Sequence, residues 1–147
     1  FGDEKASPED LQHAVTIAQA RSFIQEDGQG FEREIAQGGA NVSGGQKQRL
    51  TIARALVKKA PIYIFDDSFS ALDFKTDAEL RKALKEHTSS STILIVTQRV
   101  STILQADQII VLEDGDIVGK GTHKELMKTC QTYREIALSQ LSLEELS

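Results

Sequence analysis

Apolar residues recur along this chain with two different periods. Leu11, Ala14, Val15 and Ala18 follow one another at helical spacing. Just before them, Ser7-Pro8-Glu9-Asp10 offers a capping hydroxyl, a proline for the first helical position and an acid, so a helix is expected to start there. A second helical stretch is expected over residues 20–25. Residues 27–40, broken by Gly28, Gly30, Gly38 and Gly39, read as loop. Leu50, Ala53, Leu56 and Val57 then mark the buried face of a third helix. Ser43 is placed to cap it, Gln46 can reach back to the Ser43 N–H, and Lys58 and Lys59 suit the negative end of its dipole.

Beyond Pro61 the pattern changes. Ile62-Tyr63-Ile64-Phe65 and Ile93-Leu94-Ile95-Val96 are continuous apolar runs, the composition of strands covered on both faces of a parallel sheet. A helix over about residues 73–86 lies between them, which implies a right-handed parallel crossover. A short helix is expected at residues 100–105. Residues 109–112 and 117–120 flank an Asp-Gly turn and read as a hairpin at the edge of the sheet. Thr122 and Glu125 form another capping box, one last helix is expected from Lys124 into Leu138, and residues 139–147 are expected to fray.

The bulk composition narrows the function classes. A chain of 147 residues with 39% hydrophobic and 27% charged residues has the size and make-up of one α/β or α+β domain. A net charge of -5 argues against a general nucleic-acid or membrane-surface binder, which needs excess Lys and Arg. The single cysteine, Cys130, cannot form an internal disulfide, and no apolar run approaches the ~18 residues of a membrane span. The chain opens on Phe1-Gly2-Asp3 without Met, which suggests a piece of a longer protein.

Two segments carry candidate chemistry. In Asn41-Val42-Ser43-Gly44-Gly45-Gln46-Lys47-Gln48-Arg49, a hydroxyl and backbone N–H groups stand at a helix start, where the dipole favours an anion and the glycines leave room for close approach. In residues 61–73, Asp66 and Asp67 end an apolar strand, where carboxylates can hold a hydrated metal and orient water, and Ser70-Ala71-Leu72-Asp73 follows. Alone, the first would be an ordinary capped helix and the second a strand ending in a turn. Together and in this order they resemble the signature motif, Walker B motif and D-loop of the ATP-binding cassette (ABC) ATPases, multidrug-exporter type.

The resemblance implies a P-loop NTPase (RecA-like) α/β fold. Residues 1–58 would be the ABC helical subdomain with the signature, and residues 59–147 the C-terminal half of the RecA-like core. The Walker A half would precede Phe1 in family order. Ser43, Gly44, Gly45 and Gln46 would contact the γ-phosphate of ATP held by an opposing nucleotide-binding domain, Asp73 of the D-loop would be a further nucleotide-binding residue, and Asp66 would hold Mg²⁺ through water. The parent would be a membrane exporter with transmembrane domains and its ATPase on the cytoplasmic side, and the isolated piece would be inactive. Rival readings are a soluble ABC ATPase acting on DNA or ribosomes and a regulatory ABC domain without catalysis.

Two matched catalytic positions depart from the family. Asp67 stands where the family has the general-base glutamate; its carboxylate is one methylene shorter, and a misplacement of about 1 Å can cost on the order of 10²-fold in rate. Gln98 stands at the switch histidine; an amide can donate to phosphate but cannot become cationic. With an intact signature, these departures suit the degenerate-site subunit of a heterodimer. Gln37 replaces an acid of the exporter pattern upstream of the signature. His13, His87 and His123 lack metal-ligand spacing with Cys130 and read as surface or capping residues. Gly39 to Gly44 mimics a phosphate loop, but Gly45 follows where that motif needs Lys.

Overall fold

A computed structural model describes residues 2–26 and 28–142. They form two compact units, one up to Val96 and one from Thr97.

The first unit begins with α1 (Pro8–Ile17) and α2 (Arg21–Gln25), followed by 3₁₀ turns at Gly30–Glu32 and Gln37–Gly39 within the expected loop. Then come α3 (Gly44–Leu56), β1 (Ile62–Asp66), α4 (Phe74–His87) and β2 (Thr92–Val96). The expected capping boxes form at Ser7/Asp10 and at Ser43/Gln46. At the first of them the Lys59 ammonium, 2.6 Å away, and the Ser7 bonds hold the Asp10 carboxyl down at about 2. β1 and β2 pair in parallel, Ile62 opposite Thr92 through Asp66 opposite Val96, and the Asp67 N–H continues the ladder to the Val96 carbonyl at 2.9 Å.

Tyr63 and Phe65 point from β1 into a core with Ala14, Ile17, Ile52, Leu56, Phe69, Leu80 and Leu84. The expectation of strands buried on both faces does not hold among the described residues. The other face, with Ile62, Ile64, Leu94 and Val96, is open; Ile64 is 66% exposed. Helices pack against one side of the ribbon only, so an apolar run without polar alternation is half covered.

The second unit contains α5 (Val100–Ile103), β3 (Ile109–Glu113), β4 (Asp116–Gly121), α6 (His123–Thr129) and α7 (Gln131–Gln140). β3 and β4 form a two-stranded antiparallel sheet of their own, with an irregularity at Val111/Leu112, instead of an edge of the parallel sheet as expected. The single last helix expected from Lys124 is two helices. Cys130, at φ −118° and ψ 112°, breaks it, and its thiol packs beside β4 with Sγ 3.8 Å from the Val118 carbonyl. A Cβ at Gly119 would lie 2.8 Å from that sulfur, so the glycine leaves the space the thiol fills. The core here joins Val100, Ile109, Val111, Leu126, Tyr133 and Ala137. Of the residues expected to fray, 139 and 140 complete α7, and 143–147 lie outside the described residues.

Candidate functional site

The first turn of α3 forms one wall of an open cleft. Ser43 sits outside the helix at φ −68° and ψ 162°, its hydroxyl oxygen accepting the Gln46 N–H at 3.2 Å while the Gln46 side chain accepts the Ser43 N–H at 2.9 Å. The N–H groups of Gly44 and Gly45 belong to the first turn, where no intrahelical carbonyl exists to receive them, and the cleft borders both residues. Oriented N–H groups, an alcohol and the positive end of a 13-residue helix make this wall suited to a phosphate.

The opposite wall is the loop after β1. Ala71, Leu72 and Asp73 border the cleft, and Asp73 caps α4 by accepting the Thr76 N–H at 2.9 Å and its hydroxyl at 2.8 Å. Those bonds hold the Asp73 carboxyl below the usual carboxylate range. Arg49, also at the cleft, is tied down: its guanidinium donates to the Gln19 carbonyl at 2.6 Å and lies 4.8 Å from the Phe23 ring centroid. Burial lowers its pKa, opposed only in part by the negative charge of Asp73.

The two walls touch. A Cβ added at Gly45 would meet the Ala71 carbonyl oxygen at 3.0 Å. The glycine expected to admit a phosphate is therefore also required by the loop beside it. Gln48, which the sequence offered only as one residue of a longer motif, binds that loop through its whole carboxamide. Asn41 was equally inconspicuous; it braces the approach to the helix by accepting the Ala36 N–H at 2.9 Å and donating to the Glu34 carbonyl at 2.8 Å. Neither partnership has a local spacing signal.

Asp66 and Asp67 are exposed at the end of β1. Asp67 adopts φ 46°, in the left-handed region that Asp tolerates better than most side chains. Two adjacent exposed carboxylates fit a hydrated divalent ion, although no group of three His, Cys, Asp or Glu suited to direct ligation occurs among the described residues. Gln98 is exposed in the second unit, where its carbonyl accepts from the Gln140 side chain at 2.8 Å. His13 and His87, in the first unit, do not border the cleft. His13 and His87 meet edge to face at 5.0 Å, and His123 Nδ1 is 2.8 Å from the Tyr133 hydroxyl.

The ABC transporter family profile matches residues 5–70, which include the whole first wall and both carboxylates. An uncharacterised ABC transporter ATP-binding protein of Mycobacterium bovis is 48% identical over 138 residues, 94% of this chain and 23% of that protein. This chain belongs to the ABC transporter ATP-binding family. An ATP-dependent lipid A-core flippase of Vibrio vulnificus is 40% identical over 133 residues, 90% of the ABC chain and 23% of its own length. The solved structure of a bacterial Atm1-family ABC exporter with ATP bound matches with a TM-score of 0.90 at 35% identity, covering 94% of this chain and 24% of that one. The ABC chain thus spans about a quarter of the length of these relatives. Its fold is that of the P-loop ABC ATPase domain.

Proposed function

We propose that this chain is the signature-bearing part of an ABC exporter's ATPase domain, and that it serves a head-to-tail pair in which its own acid site is the slow one. The observation that carries this reading is the contrast within one unit: an intact phosphate-type cleft at Ser43, Gly44 and Gly45 beside an acid loop that carries Asp67. Export is supported by the likeness to a flippase and an Atm1-family exporter over at least nine-tenths of the chain, which favours it over a soluble ATPase on DNA or ribosomes. The parent would sit at a membrane with transmembrane domains, its ATPase on the cytoplasmic side. No helix among the described residues is long and apolar enough to cross a membrane itself.

In this reading Ser43 and the Gly44 and Gly45 N–H groups donate to the γ-phosphate of ATP held by the opposing nucleotide-binding domain, most simply a different chain with consensus residues. Gln46 keeps the Ser43 backbone in place, and Asp73 lies at the cleft rim. Asp66 would hold hydrated Mg²⁺ for this chain's own nucleotide, which supplies charge neutralisation there. Asp67 can orient a water but stands short of it, and Gln98 donates a hydrogen bond without the cationic form of histidine.

In the assembled full-length protein, Asp67→Asn is therefore expected to change total ATP turnover less than about twofold, since an inefficient base contributes little to remove. A steady-state phosphate-release assay checks this; a loss of several orders of magnitude would show that Asp67 is the working base and the site is not degenerate.

A further inference from the structure

Gln48 makes more contacts with the acid loop than any packing role on α3 requires. Its Nε2 donates to the Asp67 carbonyl at 3.2 Å and to the Ser70 hydroxyl oxygen at 3.0 Å, while its Oε1 accepts the Ala71 N–H at 2.9 Å. The Ser70 hydroxyl in turn donates to the same Asp67 carbonyl at 3.0 Å. One half-buried carboxamide thus satisfies groups at both ends of a five-residue loop, one of which, Asp67, holds a positive φ. Below it, Gly45 lets the Ala71 carbonyl come so close that a Cβ would be 3.0 Å away. Gln48 lies one helical turn beyond Ser43 and Gly44, on the helix whose first turn is one wall of the cleft; Ala71 begins the other wall.

We infer that Gln48 is a positioning residue for the anion cleft: its carboxamide fixes residues 67–71 against α3 and so sets the separation of the two walls. It touches no phosphate itself. The inference rests on the reading of the cleft as a nucleotide site completed in trans. Through the Asp67 carbonyl, the same clamp ties the geometry of the chain's own acid to the wall that serves the opposing nucleotide.

The test uses the assembled full-length protein. Gln48→Met keeps length and helix propensity but removes all three bonds. The Ala71 amide is expected to exchange with solvent about tenfold faster or more, as loss of one net hydrogen bond implies. kcat for ATP should fall about tenfold while KM changes less than about twofold, because the walls are misplaced and not stripped of donors. Gln48→Glu, which still accepts the Ala71 N–H, should retain protection at Ala71 and recover most of the turnover. The inference is overturned if turnover is unchanged although Ala71 exchanges faster, if Ala71 exchange does not move, or if the amides of α3 exchange faster to the same degree, which would mark a general structural role. Ser43→Arg in the same preparation separates the two claims. If it abolishes turnover while Gln48→Met is silent, the positioning role alone fails; if both are silent, the cleft is not a nucleotide site and the inference falls with it.

Discussion

Ser43→Arg in this chain is expected to lower ATP turnover of the assembled pair by roughly 10²- to 10³-fold, the scale seen when one preorganised donor to a developing anion is lost. The Ser43 hydroxyl stands at the cap of α3, with its oxygen accepting the Gln46 N–H and its proton available to a phosphate oxygen in the cleft. Arginine removes the cap and fills the exposed mouth in front of Gly44. Loss of the cap alone costs about 0.5–2 kcal/mol of helix stability, so a second variant is needed to separate helix damage from loss of the donor. Ser43→Asn retains a capping side chain while removing the alcohol. It should keep the α3 amides protected yet lower turnover by a smaller factor. If the cleft acts on the opposing nucleotide, as proposed, neither variant should change nucleotide affinity at this chain's own site. Turnover measured with phosphate release, and affinity measured with a fluorescent nucleotide, check both halves.

Phe69→Ala is expected to be the most destabilising single change near the site, by about 3–5 kcal/mol. Phe69 is only 1% exposed, stacks edge-on against Phe65 at 5.5 Å between centroids and lies inside the very loop that Gln48 holds. Its ring anchors the acid loop to the core from below, as Gln48 does from the side. Since a full-length protein with several domains need not unfold in one step, a global midpoint is the wrong readout. Hydrogen exchange of the β1 amides is the right one: the most protected should exchange about 10²- to 10³-fold faster, while the α6 and α7 amides in the other unit stay near their original rates. Phe69→Leu, which restores most of the volume, should recover the larger part of the protection.

What could be read from the residues beforehand was whatever is decided within a turn or two of chain. Ser7 with Asp10, Ser43 with Gln46 and Thr122 with Glu125 all form their capping boxes because donor and acceptor are three residues apart and need no other element. The apolar runs at Ile62 and Ile93 gave the parallel pair for a similar reason. Their cover was not local: whether Ile64 and Leu94 meet a neighbour depends on what lies across the sheet, and their composition alone could not say. The break at Cys130 was also hidden, since residues 124–138 carry helical spacing throughout. A contact with Gly119, eleven positions earlier, accompanies the break.

The site divides the same way. The capped helix start at Ser43, Gly44 and Gly45 was legible because the cap and the first-turn donors are contiguous. The clamp formed by Gln48 was not, since its partners lie 19 to 23 positions away and glutamine on a helix surface has no distinctive pattern. The left-handed backbone of Asp67 was equally invisible, although aspartate is one of the few residue types that adopts it readily. It adds a conformational preference to the chemical difference between Asp and Glu at this position.

The most direct measurement is the number of ATP molecules cleaved per assembled pair in a single rapid-quench turnover, with both sites filled before magnesium is added. If the signature of this chain completes a competent opposing site while Asp67 and Gln98 leave its own site slow, one ATP per pair is cleaved in the fast phase and the second persists at least about tenfold longer. Two ATP molecules cleaved per pair at the same rate would contradict that division of labour.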